Sequence, residues 1–184
     1  MATDPLYQKI TVEEFLGIDF GTDRKFELVN GVIQMMTGGT ESHAWIAGNI
    51  LFWLRGKLKG SGCRPYGSDM GVQITASDLR YPDVSVFCSP RPDNHRDVRS
   101  LPDPTVVVEI LSPSTAQNDQ GLKTLDYKAV PGIQVIGFVD PINELVKTVR
   151  RTEAGWLESF FAAQPLDFGP LGLQMPHDDI FSLE

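Results

Sequence analysis

The sequence predicts a mixed α/β, or α+β, domain in which a β-sheet carries helices on its faces. Three observations predict it. Short runs rich in β-branched residues recur at Met70 to Thr75, at "YPDVSVF" (81–87), at "TVVVEIL" (105–111) and at "IQVIGFVD" (133–140), each bounded by turn-forming residues. Two stretches keep helical spacing, "AWIAGNILFWLRGKLKG" (44–60) and "QGLKTLDYKAV" (120–130), the second of which completes a strand-strand-strand-helix-strand run. Finally, 184 residues that are 41% hydrophobic and 22% charged suffice for one domain with its own core, spanning 1–184.

The elements follow in order. "TVEEFLGI" places Thr11 as a helix N-cap with Glu14 three residues on, a capping box, and Val12, Phe15 and Leu16 supply an apolar face. In "KFELVNGVIQMM" the Asn30-Gly31 pair predicts a tight hairpin between Phe26–Val29 and Val32–Met36. The helix at 44–60 presents Trp45, Ile46, Ile50, Leu51, Leu54 and Leu58, with Lys57 and Lys59 near the end where cations suit the dipole. "TASD" and the long polar stretch "CSPRPDNHRDVRSLPDP" separate the strand-like runs that follow. Asn118 or Asp119 caps the helix at 120–130, and Pro131-Gly132 ends it. "ELVKTVRR" alternates like a half-exposed strand and pairs with "GWLESFFA" across "TEAG".

Charge and cysteine content narrow the chemistry. A formal net charge of -8 argues against coating nucleic acid by bulk electrostatics, although a local Lys/Arg patch still meets phosphates on an acidic surface. Basic residues such as Arg55, Lys57, Lys59, Arg64, Arg91, Arg96 and Arg99 are scattered and form no stripe. Cys63 and Cys88 belong to no CxxC or Cys/His pattern, so both are expected as reduced thiols, with neither a disulfide nor a zinc site. No window has the length of a membrane span, and the N-terminus lacks the build of a signal peptide, which points to the cytoplasm.

The informative residues are acids inside apolar strands: Glu27 in "FELV", Asp83 at the start of "DVSVF", and Glu109 in "VVVEIL". A buried carboxylate has to be protonated, ion-paired, hydrogen-bonded or bound to a metal. One such acid alone is best read as a strand cap or the partner of an arginine. Three on neighbouring strands point to a shared cation. After "SPST" breaks the strand, Asp119, Lys123 and Tyr127 recur every fourth residue on one helical face, and a chain that turns back there brings Lys123 toward Glu109. Tyr127 then either positions Glu109 or contacts a phosphate, or simply packs on the sheet. His43, at a helix start after "TGGTES", is either a substrate or metal contact or a structural histidine.

"FELVNG", His43, "YPDVSV", "VVVEILSPST" and "DQGLKTLDYKAVPGIQVIGFVDP" together resemble the Uma-two family of restriction-endonuclease-like proteins, a branch of the PD-(D/E)xK nuclease superfamily. The resemblance runs from about Thr11 to the C-terminal segment. It implies a restriction-endonuclease-like fold, a mixed central β-sheet flanked by helices, and a metal-dependent endonuclease that hydrolyses DNA phosphodiester bonds through a Mg-bound water. It implies that Asp83 and Glu109 hold Mg²⁺ or Mn²⁺ with Glu27 as a further acidic ligand, and that Asp83, Glu109, Lys123 and Glu27 form the catalytic set; Tyr127 and His43 stand beside it as the candidate substrate-binding or supporting residues. Leu111 stands where the superfamily's strand lysine would be, and the resemblance implies that Lys123 on the following helix replaces it. "GIQVIGFVD" also departs from relatives, which tend to have an acid and then two aromatics there. The alternatives are a non-catalytic nucleic-acid or protein-binding module on a nuclease-like fold and a phosphodiesterase acting on RNA or nucleotides. A homodimer is the expected assembly, since cutting both strands of a duplex usually takes two sites.

Overall fold

A computed structural model describes residues 9–88, 97–112 and 118–183. In chain order, helix α1 (Val12–Leu16) leads to the hairpin β1 (Phe26–Val29) and β2 (Val32–Met35), then to helix α2 (Glu41–Lys57). Strands β3 (Arg64–Gly67), β4 (Gly71–Thr75), β5 (Asp78–Arg80), β6 (Val84–Phe87), β7 (Ser100–Leu101) and β8 (Val106–Ile110) follow, then helix α3 (Asn118–Ala129). Strands β9 (Val135–Asp140), β10 (Leu145–Thr152) and β11 (Gly155–Glu158) come next, and the short β12 (Leu166–Asp167), β13 (Gln174–Met175) and α4 (His177–Phe181) close the described chain.

The local chemistry accounts for several elements directly. Thr11 and Glu14 make the expected capping box at α1. Asn30 and Gly31 both take positive φ (51° and 76°), as a two-residue hairpin turn with right-handed twist requires. At the end of α3, a Cβ on Gly132 would come within 2.7 Å of Asp103, so a side chain there would collide with the neighbouring loop.

The main sheet has six strands in the order β11-β10-β9-β8-β6-β3, and β8 pairs with β9 in parallel through the α3 crossover. On one face, Val106, Val108 and Ile110 of β8 pack with Ile46, Ile50 and Leu54 of α2. On the other, Val107 packs with Tyr127 of α3 and with Ile133, Ile136 and Phe138. The central strand is thus apolar on both sides, and Glu109 sits inside it at 6% exposure.

Two sequence expectations change. The run from Met70 to Thr75 does not enter the main sheet; β4 joins a second, five-stranded sheet in the order β2-β1-β5-β4-β7. The chain crosses between the sheets at Tyr81-Pro82-Asp83, where proline removes a ladder donor. Cys63 and Cys88, expected as free thiols, form a disulfide with an S–S distance of 2.09 Å. The antiparallel register Arg64↔Phe87, extended by one residue, sets the two cysteines opposite one another, a proximity invisible at a sequence separation of 25. Among the described residues no helix is long and apolar enough to cross a membrane.

Candidate active site

The register Val84↔Val108 between β6 and β8, carried one residue further, places Asp83 opposite Glu109. The backbone N–H of Ile110 donates to Asp83 Oδ2 at 2.7 Å, which fixes the aspartate at the strand end. The helix α3 lies over this edge. Lys123 Nζ donates to Glu109 Oε2 at 3.0 Å, and the Tyr127 hydroxyl to Glu109 Oε1 at 2.5 Å. Both oxygens of the buried carboxylate are therefore engaged from one helix face, four residues apart. Tyr127 is fully buried, so its hydroxyl positions Glu109 and does not reach the surface.

His43 arrives from the other side. Thr40 caps α2 by accepting from the His43 backbone N–H at 3.3 Å, and the ring Nε2 lies 3.2 Å from Asp83 Oδ2. Glu27 completes the acidic group from the second sheet. Its Oε1 accepts from the Tyr81 N–H at 3.2 Å and its Oε2 from Arg80 Nη1 at 3.1 Å. Arg80 also donates to Asp126 Oδ2, from Nη2 at 2.5 Å and Nε at 3.1 Å. Three of these acids, Glu27, Asp83 and Glu109, line a cavity of about 790 Å³ together with His43 and Lys123.

The electrostatics share one sign. Burial pushes Glu109 up to about 7, the charge of Lys123 opposes the shift, and Asp83 and Glu27 add to it. For Lys123, burial alone would lower the pKa, but Glu109, Glu27 and Asp83 outweigh it and hold the ammonium firmly protonated. The hydrogen bond to Asp83 raises His43 against the opposing effect of burial, aided by the charges of Asp83 and Glu109 and by a bond to the Ile110 backbone. The upward displacement of Lys123 and His43 comes from the surrounding carboxylates, whereas that of Glu109 is owed first to burial.

Every residue of the expected set is brought together: Glu27, His43, Asp83, Glu109 and Lys123 line one cleft, and Tyr127 lies behind them, bonded to Glu109. Arg80 and Asp126 were missed. Their only trace in the sequence is position, for Arg80 immediately precedes "YPD" and Asp126 falls between Lys123 and Tyr127. What hides the pairing is distance along the chain, 46 residues between the two. The side chain of Asp119 and residues 113–117, including most of "SPST", lie outside the described residues, as do Arg91, His95 and Arg96.

A family model with the description "Uma2: Putative restriction endonuclease" matches residues 12–176. The chain belongs to the Uma2 family. This Uma2 chain is 30% identical over 178 residues to an uncharacterized protein of Synechocystis sp., covering 95% of the chain and 93% of that protein. A second uncharacterized Synechocystis protein is 25% identical over 132 residues, covering 71% of the Uma2 chain and 75% of its own length. In three dimensions it is similar to a crystal structure from Anabaena variabilis described as "a putative nuclease belonging to DUF820", with a TM-score of 0.74 and 23% identity over 94% of this chain and 97% of that one. The likeness extends over nearly the whole length of both chains and identifies the fold as nuclease-like.

Proposed function

We propose that the protein is a divalent-metal-dependent endonuclease acting on DNA, with Asp83, Glu109 and Lys123 as its reactive set. The observation that carries this reading is the placement of the Lys123 ammonium 3.0 Å from a carboxylate buried in a central strand, beside Asp83, at the wall of a cleft of about 790 Å³.

The donor set suits a hard cation. Among the described residues no three His, Cys, Asp or Glu stand together closely enough to enclose a metal. Mg²⁺ does not need such a cage, since it is commonly held by one or two carboxylates plus waters and substrate phosphate. Asp83 and Glu109 would hold it, in a site whose surplus of negative charge favours a cation. When bound, Mg²⁺ or Mn²⁺ makes water more acidic and offsets the charge of the phosphate under attack.

The protein's own groups supply the rest. Lys123 stays protonated, so it serves as a cationic donor to the phosphate oxygens as charge grows on them and not as a base. Tyr127 and Lys123 orient the two oxygens of Glu109. His43 and the Ile110 N–H hold Asp83. Glu27, tied to Arg80 and the Tyr81 N–H from the second sheet, adds negative charge beside the site. A symmetric dimer of the chain would provide the second centre needed to cut both strands.

The test is incubation of the full chain with duplex DNA in Mg²⁺ or Mn²⁺, against EDTA and Asp83→Asn controls. Metal-dependent cleavage that is lost in the variant is expected. No cleavage, with no metal-dependent change in melting temperature, would instead make the protein a binding module that keeps its acids for structural reasons.

A further inference from the structure

A smaller cavity of about 200 Å³ adjoins the cleft, walled by Phe15, Phe20, Phe26 and Tyr81. The two spaces are neighbours, for Arg24, Lys25, Ser68, Asp69 and Tyr81 line both. We propose that this cavity is a subsite for one unpaired nucleobase of a nucleic-acid strand whose backbone lies in the cleft. The inference rests on the nuclease reading and adds a substrate preference to it: DNA with a base that is single-stranded, mismatched or readily turned out of the helix.

Shape and chemistry both favour a base. Phe20 and Phe26 stack with centroids 4.2 Å apart and planes at 17°, and Phe15 leans on Phe20 at 5.7 Å, giving an ordered aromatic wall. Such a wall accepts the face of any base and offers nothing to a phosphate. Charge is divided accordingly. Arg24, Lys25 and Arg99 stand at the cavity against the single carboxylate Asp69. Lys25 pairs with Asp69 at 2.6 Å and bonds Ser68 Oγ at 3.0 Å, but the Asp69 side chain is 94% exposed, so a phosphodiester can take its place. Arg99 Nη1 donates to the Leu16 carbonyl at 3.2 Å and thereby holds the α1 end of the wall in position.

Location ties the cavity to the reaction. Tyr81 forms part of the aromatic wall, its N–H donates to Glu27, and it stands two residues before Asp83. A base seated there lies on the Glu27 side of the acids. Bases paired in a duplex present only their edges, so occupation requires an unpaired or extruded base.

The experiment uses Lys123→Met protein, expected to bind without cutting, and fluorescence anisotropy in Mg²⁺ on three short duplexes that differ at one central position: fully paired, mismatched, and abasic on both strands. The mismatched duplex is expected to bind about tenfold tighter than the other two, as loss of one base–aromatic stack implies. That preference should vanish when the cavity is filled by Ile18→Trp or its wall is removed by Phe20→Ala, while affinity for the paired duplex stays unchanged. Equal affinity for all three duplexes, or a preference that survives Ile18→Trp, overturns the base subsite and leaves the nuclease reading standing. Failure to bind any duplex at low salt overturns both.

Discussion

Glu109 is kept inside a central strand by two donors from α3, and removing either has a definite consequence. Tyr127→Phe preserves the ring in the core but leaves Oε1 of a buried carboxylate without its hydrogen bond. The cost is about 1–3 kcal/mol, read as a fall of several degrees in melting temperature at roughly 2–4 °C per kcal/mol for a chain of this size. An unchanged melting temperature would mean that the hydroxyl contributes nothing to holding Glu109.

The same residues set a pH dependence in metal-free protein. Glu109 is raised from 4.5 to about 7, so between those values the folded state keeps a proton that the unfolded state has released, and stability falls as pH rises through that window. His43 is raised as well; its contribution is present below the unfolded pKa of 6.5 and is lost as pH rises through the folded value. The two effects agree in sign. Thermal melts in EDTA should show lower stability at pH 8 than at pH 6, with added Mg²⁺ reducing the difference, and a higher melting temperature at pH 8 in EDTA contradicts the assignment.

At the scale of elements, α3 is aimed by a brace from the second sheet. Arg80 of β5, 5% exposed, holds Glu27 of β1 and Asp126 of α3 at once, joining the second sheet to the helix that carries Lys123 and Tyr127. Arg80→Met leaves two carboxylates facing each other without a cation. Breaking a buried pair in this way costs about 3–5 kcal/mol, and chemical denaturation of the variant should show a loss of that order, with Arg80→Lys recovering only part of it because the ammonium lacks the guanidinium fork. Full stability in Arg80→Met would refute the brace.

The elements also show what a sequence can reveal. The α1 capping box, the Asn30-Gly31 turn, the α3 helix and the β10–β11 pairing are legible because each is set by residues a few positions apart. The second sheet is not, since β5 finds its partner β1 about fifty residues away through the single register pair Leu28↔Leu79. The acids of the site stood out because carboxylates are rare in β-branched runs, and Lys123 and Tyr127 because they share a helix face with a fixed spacing. Arg80 carried no comparable local mark; only the fold makes it the partner of both Glu27 and Asp126.

At the scale of the whole molecule, the disulfide between Cys63 and Cys88 joins the ends of β3 and β6, the edge of the main sheet that leads into the site. Closing a chain segment of 25 residues contributes about 3.5 kcal/mol by the loop-entropy relation. Reduction, or Cys63→Ser with Cys88→Ser, should therefore lower the melting temperature. A reduced protein as stable as the oxidised one would show that the strand pairing alone holds this edge.

The fold brings two acids from adjacent strands and one lysine from the crossover helix to a single point, and the claim that this point is a nuclease centre rests most heavily on Lys123. The most direct measurement is the rate of plasmid DNA cleavage in Mn²⁺ by wild-type and Lys123→Met protein, with Mn²⁺ affinity measured on the same samples. Cleavage by the wild type, with turnover abolished in the variant and metal binding retained, is the result this account predicts. Equal cleavage by both proteins would contradict it and remove the lysine from the mechanism.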